Sequence, residues 1–160
     1  MLKKKQSGFS LIELLIVVAI ILIIAAIAIP NLLKGKMAAN EASAVEGLRA
    51  IQSAETAYAT TYPSVGYSAS LSALSEGSSA SACAASSTQA CLIDSTLASG
   101  TKSGYTITWH SDGLSPSVSY SMNADPVLRG SSGQRSFFTD FPGVIRYNLT
   151  VSASNSDPTI

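Results

Sequence analysis

Two groups near the front of this chain have chemistry to do. One is the Gly8-Phe9 peptide bond, a small-residue junction that follows Lys3, Lys4 and Lys5 and precedes a long apolar run. An ordinary secretory signal places its small-residue cleavage site after the apolar stretch. Here the order is reversed, so hydrolysis at Gly8-Phe9 removes the lysines and keeps the apolar segment. The other group is Glu13, the only ionisable side chain from Phe9 to Ile29. A carboxylate at the centre of a membrane helix costs about 2.5–3.5 kcal/mol, and such acids usually have a partner. Cutting before Phe9 creates an amine one helical turn from Glu13, at i and i+4. Two readings stay open. In the first, Glu13 neutralises that amine, in its own chain or in a neighbouring copy, and so sets the axial stagger of an array of identical helices. In the second, it lies near a membrane surface and stays hydrated.

The remaining chemistry is sparse. Cys83 and Cys91 lie in a Ser/Ala-rich stretch. An even count in an exported domain reads as one disulfide; two free thiols or half of a metal site are the alternatives. His110 is the single histidine, and there is no second cysteine pair, which weighs against zinc. Asp112, Asp125 and Asp140 fall in expected turns, where aspartate usually bonds to local backbone. Asn148-Leu149-Thr150 fits a glycosylation sequon but falls in an expected strand. The sequence has no Gly-x-Ser-x-Gly elbow, phosphate loop or catalytically spaced carboxylate pair. We therefore expect no catalytic residue, no metal and no cofactor.

The elements that must position these residues begin with a helix. The segment 9–29 is about 21 residues long, enough to span a bilayer core. It is apolar around its whole circumference apart from Ser10 and Glu13, so it must be surrounded by lipid or by copies of itself. Pro30 removes one backbone hydrogen bond and reads as a kink rather than a stop, because helical periodicity resumes at once. From 30 to 62 the pattern is amphipathic: Met37, Ala44, Leu48, Ile51, Tyr58 and Tyr62 form one stripe, interrupted by Glu55. Lys34, Lys36, Glu41, Glu46 and Arg49 are expected mostly on other faces, and Pro63 ends the helix. A rod from Phe9 to Tyr62 would be roughly 80 Å long, so half of it is expected to project.

Residues 63–104 are rich in Ser, Ala and Gly and are expected to form short helical turns and loops tied by the cysteine pair. The run Ser78-Ser79-Ala80-Ser81 suggests disorder. Residues 105–160 alternate like strands. The expected strands are Tyr105–Trp109, Val118–Met122, Arg135–Thr139 and Val144–Val151, the last with Ile145, Tyr147, Leu149 and Val151 on one side. An α+β fold follows: a long N-terminal spine helix, its amphipathic half covering a four-stranded antiparallel meander sheet.

The run Gly8-Phe9-Ser10-Leu11-Ile12-Glu13-Leu14-Leu15-Ile16-Val17-Val18 resembles the prepilin signature of type IV pilins and their relatives. Pro30 falls where many of these pilins carry a helix-kinking proline, whereas Leu22 stands where many have glycine. The stretch from Gly133 to Asp140, with Gly143 to Arg146, is similar to a segment of some pilins. The resemblance covers about the first third of the chain. It implies that a prepilin peptidase cuts after Gly8 and methylates the amine of Phe9, and that Glu13 serves subunit addition. Residues 1–8 are then a cleaved leader.

Charge fits an exported chain. The formal charge is zero, and removing the leader lysines takes the side-chain charge to −3. With no basic tract elsewhere, no nucleic-acid partner is expected. Lysines before the apolar segment hold the leader in the cytoplasm and send the C-terminal bulk outside. The expectation is a structural subunit of a type IV pilus: an inner-membrane precursor, then a helical homopolymer at the cell surface, built by the pilus assembly machinery. The alternatives are a type II secretion pseudopilin, a minor pilin, or a membrane-anchored binding domain that never polymerises.

Overall fold

A computed structural model describes residues 9–77 and 83–160. The leader, including Gly8, and the serine run 78–81 lie outside the described residues. The chain divides into two compact units, Met1–Gly35 and Lys36–Ile160. Helix α1, Leu11–Thr61, supplies the described part of the first and the opening element of the second, with Pro30 inside it. In the first unit α1 is aliphatic on every side. In the second it turns one face to a core.

That face carries Ala44, Leu48, Ile51 and Tyr58, all buried, with Tyr62 partly buried beside them. Gly47 also lies on it, and a Cβ there would stand 3.2 Å from Leu97 Cδ1, so the missing side chain lets the neighbouring elements come close. Glu41 departs from expectation. Instead of sitting on a solvated face it is buried, because it meets three donors from the far side of the fold (below). Glu55, which breaks the apolar stripe, is fully buried for a similar reason: its carboxylate takes the Ser68 N–H at 2.9 Å and the Ser68 hydroxyl.

After α1 come two single-turn helices, α2 (Leu71–Leu74) and α3 (Ser95–Ala98). Asp94 caps α3 by accepting the Leu97 N–H at 2.8 Å. Leu71, Leu74, Ile93 and Leu97 from this region join the core, while Leu92 is exposed.

The sheet has five strands rather than four: β1 (Thr101–Lys102), β2 (Tyr105–Ser111), β3 (Tyr120–Pro126), β4 (Ser136–Asp140) and β5 (Arg146–Asn148). They pair in chain order, all antiparallel. The extra strand arises because Ser103-Gly104 turns tightly, both at positive φ, and folds Thr101–Lys102 back on β2. Tyr105, Ile107, Tyr120, Met122, Ala124 and Phe137 alternate onto the buried face. Side chains that capture backbone donors shift the start of one expected strand, which then runs on to Pro126, and shorten another. Asp112 accepts the Val118 and Ser119 N–H groups at 2.9 and 2.8 Å, which holds Val118 in the connection and delays β3 to Tyr120. Asn148 accepts the Thr150 and Val151 N–H groups at 3.0 and 3.2 Å in an Asx turn, so β5 stops there. Leu149 and Val151, expected on an apolar strand face, are exposed. The chain then returns along β5, where the Tyr147 N–H meets the Pro158 carbonyl at 2.9 Å and the Ile160 N–H meets that of Ile145 at 3.1 Å. This covers an edge that would otherwise present unpaired backbone.

Candidate functional site

The apolar part of α1 is the site that the sequence singles out. All sixteen Leu, Ile and Val residues from Leu11 to Leu33 are exposed, as is Phe9. Burying one such side chain is worth about 1.5–3 kcal/mol. Leaving the whole set in water would therefore forgo tens of kcal/mol. This stretch is long and apolar enough to cross a membrane, by length and composition. Among the described residues its aliphatic side chains are left exposed.

Glu13 sits in the first turn of α1, and its Oε2 accepts the Ser10 backbone N–H at 2.9 Å. Ser10-x-x-Glu13 is thus half of a capping box, in which the third helical residue reaches back to the N-cap. That contact uses one carboxylate oxygen; among the described residues the other accepts no hydrogen bond. It also fixes the carboxylate at the helix N-terminus, where the helix dipole favours a negative charge. The sequence carries this signal as the spacing Ser10-x-x-Glu13, although Ser10 is not among the partners expected for Glu13. Pro30 lies within a helix that continues on both sides of it. Having no N–H, it leaves the Ala26 carbonyl without its usual partner.

The second unit carries its polar residues as fasteners. Glu41 accepts from Gln134 N at 2.8 Å, Arg135 N at 3.1 Å and Arg135 Nε at 2.8 Å, tying α1 to the start of β4. Burial opposes the ionised form of Glu41, but these donors and the guanidinium charge outweigh it and hold its pKa below the usual range. Arg135 also lies over the rings of Phe137 and Tyr147. Gln52 Nε2 donates to Thr139 Oγ1 at 2.5 Å, and Asn40 Nδ2 to the Ser132 carbonyl at 2.7 Å. Gly133 is fixed by Tyr105, whose hydroxyl would lie 2.0 Å from a Cβ at that position. That hydroxyl donates to the Arg135 carbonyl at 2.7 Å. Arg129 gathers the carbonyls of Gln134, Leu149 and Val151.

Cys83 and Cys91 form a disulfide with their Cα atoms 6.1 Å apart. Asp112 bonds to backbone N–H groups of its own loop, as expected of a turn aspartate, and those donors more than offset its desolvation to hold its pKa far below the usual value. Asp125 accepts from the Ser152 hydroxyl instead. His110 is exposed on β2, and among the described residues no group of three or more His, Cys, Asp or Glu is placed to hold a metal ion.

Comparison with known proteins bears on the same segment. A family model described as the prokaryotic N-terminal methylation motif matches residues 3–29. The N-terminal segment of the chain is thus similar to that of type IV pilins and pseudopilins, and this signature with its apolar helix fits a membrane-anchored precursor. Over 54 residues it is 46% identical to the type IV major pilin protein PilA of Myxococcus xanthus (strain DK1622), covering 34% of this chain and 24% of that protein. Over 58 residues it is 38% identical to the type II secretion system core protein G of Aeromonas hydrophila, covering 36% of this chain and 41% of that one. The similarity therefore spans well under two thirds of either relative. No solved structure matches significantly.

Proposed function

We propose that the chain is the major structural subunit of a type IV pilus. The observation that carries this reading is the unbroken aliphatic surface of α1 from Leu11 to Leu33, marked by one carboxylate at Glu13. The precursor waits in the inner membrane, single-pass, with residues 36–160 outside the cytoplasm. A prepilin peptidase cuts after Gly8 and the new Phe9 amine is methylated. The segment 9–29 then leaves lipid for a bundle of identical helices. Neighbouring helices replace lipid contacts, so little apolar burial is lost, and packing drives association. The other oxygen of Glu13 pairs with the Phe9 amine of an adjacent copy and sets the register. Because each subunit meets the next by a non-closing operation, the product is a filament. The role is structural rather than catalytic, and the assembly machinery of the pilus is the partner.

The similarity to a secretion core protein favours a second reading, a pseudopilin of a type II secretion system. The two differ in product. Electron microscopy of material sheared from the cell surface, with mass spectrometry of its subunits, separates them. The pilus reading expects abundant long filaments in which this chain predominates and begins at methylated Phe9. Bare cells with the chain retained in the envelope would support the pseudopilin.

A further inference from the structure

The face of the sheet turned away from α1 is polar, and one part of it is concave. By register His110 stands beside Ser121, and Ser121 beside Asp140, so the three form a row across β2, β3 and β4. The row lines a cleft of about 320 Å³ that Phe138, Phe141 and Asn155 complete. This is the lower end of the range for small-ligand clefts. Among the described residues, the side chains of His110, Ser121, Asp140 and Asn155 have no hydrogen-bond partner, although polar groups around them are bonded. Asp112, on the rim, is fully engaged with its own loop. The row is not a catalytic relay. The serine lies between the histidine and the acid, and two strand spacings keep His110 and Asp140 roughly 10 Å apart.

We infer that this cleft binds a neutral carbohydrate, taking the terminal sugar of a glycan. A sugar ring presents an apolar face and a rim of hydroxyls. Phe141, more than half exposed, and Phe138 offer planar apolar surface for the first. Asp140 accepts hydroxyl protons, while Asn155, Ser121 and His110 both donate and accept. The charge of the lining sets the preference: Asp112 and Asp140 make it negative, which disfavours sialylated or phosphorylated ligands. The inference concerns the single subunit and stands whether or not the chain polymerises.

The test uses the mature chain in detergent micelles. Saturation-transfer NMR and calorimetry are run with lactose, maltose and chitobiose, and with 3′-sialyllactose as the anionic comparison. At least one neutral disaccharide is expected to bind, at least tenfold more tightly than sialyllactose. Asp140→Ala and Phe141→Ala should each weaken that binding at least tenfold, while Glu46→Gln, on an exposed position of α1, leaves it unchanged. Ser121→Trp, which fills the cleft, should abolish it, and circular dichroism of each variant must show the wild-type Tm. Failure of every neutral sugar to bind, stronger binding of sialyllactose, or wild-type affinity in folded Asp140→Ala and Ser121→Trp variants would each overturn the inference.

Discussion

Removing the Glu41 carboxylate tests whether the second unit is held together by the contact of α1 with β4. Oε1 takes both backbone N–H groups, of Gln134 and Arg135, and Oε2 takes Arg135 Nε. Hydrogen bonds to a charged acceptor are worth about 1.5–3 kcal/mol each, and stranded donors add to the loss. Arg135 is partly exposed, so water rescues some of its share. Glu41→Ala should therefore destabilise the fold by about 2–4 kcal/mol, on the order of 10 °C in Tm. Glu41→Gln separates geometry from charge. Its amide oxygen can occupy the Oε1 position and keep both backbone bonds, while its NH₂ faces the guanidinium and gains nothing. It should lose about half as much as the alanine variant. Thermal unfolding of the mature chain in mild detergent, followed by circular dichroism, reads both. A loss under about 0.5 kcal/mol for Glu41→Ala, or equal losses for the two variants, would refute the reasoning.

Other outcomes follow from neighbouring contacts. Burial, the dominant influence on Glu55, pushes its pKa above the ordinary value of 4.5 despite the Ser68 donors. The folded state therefore holds that proton more tightly than the unfolded chain, so the Glu55 contribution favours folding most at acid pH and is lost as pH rises from about 4.5 through the raised value. Glu41 has the opposite sign, its contribution present above 4.5 and lost as pH falls through its lowered pKa. Glu55→Gln should accordingly flatten the fall in Tm as pH rises above about 4.5, and an unchanged Tm profile would contradict the assignment. Gly133→Ala drives a methyl into the Tyr105 ring and hydroxyl, and should cost about 2 kcal/mol or more in the same melt. Replacing Cys83 and Cys91 together by serine should lower stability by about 2–3 kcal/mol through the short loop they close, measured against the oxidised wild type.

Much of this architecture could be read from periodicity. The stripe of Ala44, Leu48, Ile51 and Tyr58 recurs at helical spacing and is buried as a unit, and Tyr105/Ile107 and Tyr120/Met122 alternate as strands do. What escaped the pattern were side chains acting on backbone. Asp112 delays the start of β3 and Asn148 ends β5 early by capturing N–H groups, and nothing in hydrophobic alternation registers that. Glu41 reads as a surface acid because its donors, Gln134 and Arg135, lie more than 90 residues away in sequence. The N-terminal segment is legible as a motif, since its signal is local: lysines, a glycine, an apolar run and one acid within residues 3–29. Even there the link from Glu13 to the Ser10 N–H was visible only as spacing.

The central claim is that the aliphatic face of α1 and the single acid within it build the filament. The direct measurement is filament yield by electron microscopy from cells producing Glu13→Leu, alongside N-terminal sequencing of the processed chain. We expect a chain that still begins at Phe9 and stays in the membrane fraction, with few or no filaments. Filaments at wild-type yield from that variant would contradict the role given to Glu13.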